Sequence, residues 1–420
     1  MLYALKRILP VSLQNTLRTP YHYLLQWGAM LINGFPASHM IVVGVTGTKG
    51  KSTVADMLYA ILAVEHKTAL ASTIRFKTPA SEEKNLFKMT MQGRGFIQRF
   101  LGRARRDGAT HAVVEITSEG VLQYRHLFLA LDALIVTNIQ KEHIESHGSF
   151  ENYVAAKREI VTELERSPKP RRALIVHTDV PDTASFLGAA VTDIIPFSMN
   201  NIGDVRADDG SVSFLYKDVR FTVPLAGTFN ATNALAAIKA AEWLHIPLVT
   251  AQKALAKMQT VHGRVEHVSV GEKQRFIAIV DYAHTPDSLR AVYSAFPNRK
   301  KICVLGNTGG GRDQWKRPEM GAIADSECDT VILTNEDPYD EDPVAIVNQM
   351  AAGMKRKPKI IMDRREAIRA AIRGALPGDV VIVSGKGTDP YIMGPKGHKT
   401  PWSDSLVVHE ELEKLLQTRD

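Results

Sequence analysis

The sequence predicts an α/β protein: a phosphate-loop-type central domain with a mainly parallel sheet, followed by a Rossmann-like α/β domain. Three observations carry this. Short apolar runs alternate with helical segments between residues 40 and 140, and again after residue 263. A glycine-rich turn, Gly47-Thr48-Lys49-Gly50-Lys51-Ser52, joins one such run to a helix. Finally, 420 residues are too many for one ordinary core.

The first 39 residues read as a short helical segment. Leu13, Leu17, Tyr21, Leu24, Leu25 and Met30 fall near helical spacing, with Pro20 as a break. Packing on the next domain is one reading. An interfacial helix, with Tyr21, Tyr23 and Trp27 near basic groups, is the other, giving peripheral membrane contact through residues 1–39. Met40–Val45 is a strand, the glycine turn follows, and a helix runs from about Thr53 to Glu65. Phe96–Asp107 is helical, and His111–Ile116 and Ala133–Thr137 are strands. Residues 210–225 alternate as antiparallel strands do, and an alanine-rich helix covers Ala231–Leu244. The pattern restarts near Gly263 with strands at Ile277–Asp281, Lys301–Leu305, Thr330–Thr334 and Val380–Ser384. The expected domains are therefore 1–39, 40–262 and 263–420.

Composition sets the class. Hydrophobic residues make up 45% and charged residues 23%, the mix of a soluble globular chain. The formal charge of +7 is scattered. Its densest stretch, Arg99–Arg106, reads as one solvated helix face, so no nucleic-acid partner is expected. No run of eighteen apolar residues exists, so no spanning helix is expected. The N-terminal apolar run is broken by Lys6, Arg7 and Pro10, unlike a secretory leader. Two cysteines, Cys303 and Cys328, lack metal-ligand spacing, and a reducing cytoplasm is the simplest compartment.

The glycine turn is the strongest chemical signal. Its backbone N–H groups would face phosphate oxygens, and the helix N-terminus adds a favourable dipole. Lys51 would reach the β- and γ-phosphates of ATP, and the Ser52 hydroxyl would help hold Mg²⁺. Glu115 ends a strand, where it reads either as a metal ligand or as a surface carboxylate. His143 and His147 are four apart, a spacing that can align two imidazoles, although such pairs are commonly surface groups. Lys157, on an alanine-rich helix, reads alone as a solvated lysine. Arg264 follows a glycine at the presumed hinge. It is either a linker arginine or a guanidinium that completes a phosphate site on closure. Asp281 and His284 lie just after a strand, where α/β sheets place ligand contacts.

At these residues the chain resembles the Mur ligases. That family carries the same variant loop, in which Val45 stands where the general phosphate loop has its first glycine. Glu115-Ile116-Thr117-Ser118 looks like its Glu-Val-Ser-Ser. Thr137-Asn138, Glu142-His143 and His147-Gly148-Ser149 resemble its second metal segment. Ala155-Ala156-Lys157 is similar to the segment with its carbamylated lysine, and Gly227-Thr228-Phe229-Asn230 with Asn233 to its adenine-side motif. Gly263-Arg264-Val265-Glu266, Asp281-Tyr282-Ala283-His284-Thr285-Pro286, the run Gly309 to Pro318, and Gly385-Lys386-Gly387 complete the set. The resemblance covers about residues 40–400 and is strongest to the MurE branch, which adds the third residue of the peptidoglycan stem.

The resemblance implies roles for these positions. Gly47, Thr48, Lys49, Gly50, Lys51, Ser52, Thr53, Asn230, Asn233, Arg264, Asp281 and His284 would bind ATP. Ser52, Glu115, His143 and Lys157 (as a carbamate) would hold Mg²⁺, and Lys51, Lys157, His143 and Arg264 would be catalytic. Thr90, Ser118, Arg312, Glu336, Asp337, Gly385 and Asp389 would contact the muramyl-peptide acceptor or the amino acid. The implied activity is an ATP-dependent amide ligation through an acyl phosphate. A folylpolyglutamate-synthetase-like ligase is the alternative. A nucleotide switch or a non-catalytic scaffold is the alternative of another class, although no Asn-Lys-x-Asp for guanine is present.

Three departures from the family pattern matter. Only about 40 residues precede the loop, too few for the domain that holds the uridine diphosphate end in this family. A lipid-linked or differently gripped acceptor would suit that. Where the family reads diaminopimelate with Asp-Asn-Pro-Arg, this chain has Glu336-Asp337-Pro338-Tyr339. That pair suits a cationic amino acid such as lysine or ornithine, or else simply caps the next helix. Asp389 stands in place of a glutamate, and Glu119 in place of a histidine.

Overall fold

The computed structural model describes residues 11–93, 95–140, 147–311 and 314–417. They form two compact units, one of residues up to 201 with 233–254, the other of 202–232 with 255 onward.

The first unit is built on an eight-stranded sheet. Its strands are β1 Ile41–Thr46, β2 Thr68–Ala71, β3 Arg75–Lys77, β4 Glu82–Lys84, β5 His111–Glu115, β6 Ala133–Val136, β7 Ala173–His177 and β8 Asp193–Phe197, in the order β4-β3-β2-β5-β1-β6-β7-β8. Pairing is parallel from β2 to β8 across the sheet, and β3 and β4 add an antiparallel edge. The central strands are unbroken apolar runs because helices cover both of their faces, leaving no solvent side to fill with polar residues. The described helices of this unit include α1 Val11–Ile32, α2 Lys51–Leu62, α3 Phe96–Arg106, α4 Ser118–Val121 and α5 Phe150–Glu165, with most of Phe229–Trp243 and Leu248–Ala256. Central β1 pairs with β5 and β6, so the carboxyl ends of three strands meet beside the glycine turn. Pro20 does not break α1, which runs through it. One lost N–H is a local cost that the remaining turns outweigh.

The loop before β6 is held from α5. Phe128 and Ala130 have φ of +63° and +42°, and Leu129 between them donates its N–H to Glu163 at 3.3 Å. Burial pushes the Glu163 carboxyl up from 4.5 to about 7. Between those values the folded chain binds the extra proton, so this group's contribution falls as pH rises through the window. Glu163→Gln is expected to be about 2 kcal/mol more stable than the native chain near pH 8, allowing for partial exposure, and equal to it near pH 4. Urea unfolding at the two pH values checks this.

The second unit has a six-stranded sheet of β12 Glu266–His267, β13 Ile277–Asp281, β14 Lys301–Leu305, β15 Thr330–Leu333, β16 Lys359–Ile360 and β17 Val380–Ser384, in the order β12-β13-β17-β14-β15-β16. All pairs are parallel except the β12 edge. Separate apolar clusters form around Leu305 and Tyr293 and around Val304 and Ile368. Successive residues of β14 thus serve opposite faces. A three-stranded antiparallel sheet of β9 Gly203–Ala207, β10 Val212–Tyr216 and β11 Val219–Val223 belongs to this unit. Arg299 ties it on, donating to Asp209 at 2.7 Å.

Cys303 on β14 and Cys328, at the end of helix Lys316–Glu327, are joined in a disulfide with Cα atoms 6.1 Å apart. The sequence reading, which takes a reducing compartment as simplest, expects no such bond. Spacing along the chain does not reveal that this strand and helix end abut. No described helix is long and apolar enough to cross a membrane.

Candidate active site

In the first unit the site grows from the end of β1. Gly47 has φ +145°, and a side chain there would lie 2.0 Å from Thr137 Oγ1, so only glycine lets the turn pass β6. Residues after β6 fasten the turn. Thr48 donates its N–H to the Asn138 carbonyl at 3.0 Å, and Lys49 N–H donates to Asn138 Oδ1 at 2.8 Å. Thr137 Oγ1 and Asn138 Nδ2 donate back to the Lys49 carbonyl at 2.6 and 3.1 Å. Thr48 Oγ1 lies 2.7 Å from the Tyr153 hydroxyl. A Cβ on Gly50, whose φ is +79°, would meet Asn233 Oδ1 at 2.5 Å, which sets Asn233 against the turn.

Four predicted side chains converge here. Lys51 opens α2, and its Nζ donates to the Thr48 carbonyl at 2.9 Å. Ser52 Oγ donates to Glu115 Oε2 at 3.0 Å, and both residues are buried. Lys157 is 1% exposed, and its Nζ donates to the Gly47 carbonyl at 2.9 Å and to Thr46 Oγ1 at 3.1 Å. It is therefore not the solvated lysine that its helix alone suggests. Thr53 is buried in the same first turn of α2.

Sequence reasoning missed Thr73, whose N–H and Oγ1 donate to the two Glu115 oxygens at 2.8 and 2.9 Å. Thr90 joins the same chain, its Oγ1 2.6 Å from Thr73 Oγ1. Tyr153 was missed as well, although its place four residues before Lys157 puts both on one helix face. Ser118 Oγ lies 3.2 Å from His147 Nε2. His143, with Glu142, lies outside the described residues.

In the second unit, Asp281 at the end of β13 accepts from Val265 N–H, just before β12, at 2.7 Å and from Ala283 N–H, just after β13, at 2.6 Å. The Arg264 guanidinium lies 4.5 Å from the Tyr282 ring centre, and its Nη1 donates to the Gly263 carbonyl at 2.9 Å. His284 Nδ1 lies 2.8 Å from the Tyr282 carbonyl. Asn230 Nδ2 donates to the Ala226 carbonyl at 2.8 Å.

The predicted acidic pair separates in role. Asp337 Oδ1 accepts from Lys386 Nζ and from Met393 N–H, both at 2.8 Å, so that charge is already matched. Asp389 Oδ2 lies 3.4 Å from the same ammonium. Glu336 accepts from Thr308 Oγ1 at 2.8 Å through Oε1, while its buried Oε2 has no hydrogen-bond partner among the described residues. Burial pushes its carboxyl up, Asp337 adds to this, and Arg364 and Lys386 oppose it. Gly385 lies against Glu336: a Cβ there would come 2.2 Å from Oε2. Neither acid caps the next helix, where Asp342 accepts from Val344 N–H instead. Arg312 lies outside the described residues.

A glycine turn opening a helix, with a buried carboxylate on the neighbouring strand, defines a phosphate-loop nucleotide-using enzyme. Residues 45–241 match the family model described as the Mur ligase middle domain, and residues 263–387 match the Mur ligase, glutamate ligase domain. The UDP-N-acetylmuramoyl-L-alanyl-D-glutamate--2,6-diaminopimelate ligase of Aquifex aeolicus is 35% identical over 90% of this chain and 79% of its own. A solved structure of a ligase of that same name is similar with a TM-score of 0.61 at 26% identity, over 90% of this chain and 79% of the other. Mycobacterium tuberculosis folylpolyglutamate synthase shares the fold, with a TM-score of 0.69 at 18% identity over 98% of both chains. The chain belongs to the Mur ligase family. It is an ATP-dependent, ADP-forming amide ligase.

Proposed function

We propose that this ligase adds a diamino acid to the free carboxylate of a muramyl peptide, building a peptidoglycan stem peptide in the cytoplasm. The observation that carries the proposal is the convergence of Lys51, Ser52, Glu115 and Lys157 on one glycine turn. The acceptor carboxylate would take the γ-phosphoryl group of ATP, giving an acyl phosphate and ADP. The incoming amine would then attack the acyl carbon, and phosphate would leave as the C–N bond forms and the amine loses its proton.

The donor set fits Mg²⁺. Ser52 and Glu115 offer hard oxygens, and Thr73 anchors both carboxylate oxygens in place. Ser52 and Glu115 would hold the ion, with Lys157 joining them if carbamylated and His143 as a further ligand. Bound there, Mg²⁺ supplies charge neutralisation for the phosphates. Lys51 would hold the transferring phosphoryl group, and Gly47–Thr53 would orient the phosphates through backbone N–H groups. Asn230, Asn233, Arg264, Asp281 and His284 are the remaining proposed nucleotide contacts. Thr90 and Ser118 are proposed for the acceptor. Glu336, Asp337, Gly385, Asp389 and Arg312 are proposed for the amino acid. An ammonium would give Glu336 Oε2 a partner, which supports a diamino substrate. We assign ATP binding to residues 40–262 and the C-terminal ligase role to 263–420.

The test is phosphate release with ATP and Mg²⁺, UDP-N-acetylmuramoyl-dipeptide as acceptor, and a panel of diaminopimelate, lysine, ornithine and neutral amino acids. Release that requires both acceptor and a diamino acid is expected. Release only with a folate acceptor would replace this reading with the folylpolyglutamate one. Hydrolysis that ignores both additions would point to a nucleotide switch.

A further inference from the structure

Helix α1 turns one side to the protein and shows an apolar stripe on the other. Gln26 is buried at 2% exposure, and a Cβ on Gly95 of the α3 N-cap would lie 2.2 Å from Ala29 Cβ, so this side of α1 faces the protein. Its other side carries Leu24, Trp27 and Leu31 at helical repeat, 60%, 46% and 39% exposed. Tyr21, Tyr23 and Ile32 flank that stripe and are exposed too. Exposed leucine and tryptophan at helical repeat form an apolar stripe that no described residue covers, the kind of patch that marks a docking surface.

The surrounding charge says what the partner is. The chain has 45 acidic residues, yet none falls in residues 1–55 or 85–106. On α3, Gly95, Arg99, Gly102 and Arg106 follow one helical stripe. A Cβ on Gly102 would meet Asn33 Oδ1 at 2.7 Å, so exposed Arg99 and Arg106 border the seat of α1. Arg105 Nη1 donates to the Gly34 carbonyl at 3.1 Å, just past the end of α1. Arg103 is matched by Glu83 at 2.7 Å. An apolar stripe with tryptophan and tyrosine, rimmed by arginine, in stretches of chain without acidic residues, is the pattern of an interfacial helix on anionic lipid. A second copy of the same face would oppose cation to cation.

We propose that this face seats on an anionic bilayer surface, with Trp27 and its apolar neighbours at the headgroup boundary and Arg99 and Arg106 against lipid phosphates. The proposal deepens the peripheral contact read for residues 1–39 and does not depend on which amino acid the ligase uses.

The test sediments the full chain with phosphatidylcholine vesicles, with and without phosphatidylglycerol, at low and high salt. Partition is expected to be about tenfold stronger on the anionic vesicles and to weaken with salt. Trp27→Ser/Leu31→Ser is expected to lower it about tenfold. Arg99→Glu/Arg106→Glu, at exposed positions, is expected to remove the preference for anionic lipid while urea unfolding stays native. Both variants keep phosphate release on a soluble acceptor, which separates this result from the ligase reading. Absent or charge-independent partition of the native chain overturns the proposal. So does a concentration-dependent dimer that Trp27→Ser/Leu31→Ser abolishes, which would give the face to a second copy.

Discussion

Lys51→Ala is expected to lower acceptor-dependent phosphate release by about 10³-fold, roughly 4 kcal/mol of transition-state stabilisation. The size follows from position. Lys51 is the first residue of α2, and its ammonium bonds back to the Thr48 carbonyl, within the turn that would carry the phosphates. Charge on a transferring phosphoryl group grows where such a cation already stands, and a preorganised cation needs no rearrangement to meet it. The turn itself does not rest on Lys51, because Asn138 and Thr137 hold it through the backbone of Thr48 and Lys49. Stability should therefore move by less than about 1 kcal/mol, and the loss should appear in kcat rather than in the unfolding curve. An alanine variant that released phosphate at the native rate would detach this glycine turn from the chemistry.

The parts of this site that the sequence makes legible are those carried by local pattern. The β1–turn–α2 unit is one, because an apolar run, two glycines and a helix start are contiguous. Ile277–Asp281, Lys301–Leu305 and Val380–Ser384 are others, since each apolar run ends at a polar or turn residue. What it does not show are partnerships across the sheet. Nothing near Thr73 announces that it would hold both oxygens of a carboxylate 42 residues later. Glu336 and Asp337 look equivalent as neighbours, yet adjacent side chains point apart, and only Asp337 meets Lys386. The strand-forming residues 202–232 precede the alanine-rich helix, so chain order groups them with the first domain. The Arg299–Asp209 pair and their packing group them with the second unit. Pro20 is the opposite failure, a strong local signal overruled by the turns on either side.

Asp404→Ala is expected to destabilise the second unit by about 3–5 kcal/mol. Arg364 and Asp404 are 1% and 0% exposed in their side chains, and they meet through two bonds, Nε to Oδ1 at 2.8 Å and Nη2 to Oδ2 at 2.6 Å. Trp402 Nε1 also donates to Oδ1, at 2.7 Å. Removing the carboxylate leaves a buried guanidinium without its paired charge, and that penalty, rather than the lost attraction, sets the magnitude. Replacing both partners, as Arg364→Met with Asp404→Leu, should recover most of the stability because no charge is left buried. The two variants differ at the site, however. Arg364 Nη2 donates to the Ser384 carbonyl at 2.8 Å, one residue before Gly385, and its charge opposes the upward push on the Glu336 carboxyl. The double variant should therefore fold well and still lose amino-acid affinity, because Glu336 would keep its proton to higher pH and meet an ammonium as a neutral acid. Urea unfolding separates the variants by stability, and the pH dependence of KM for the amino acid separates folding from charge. A double variant with native stability and a native KM profile would show that Arg364 serves the core alone.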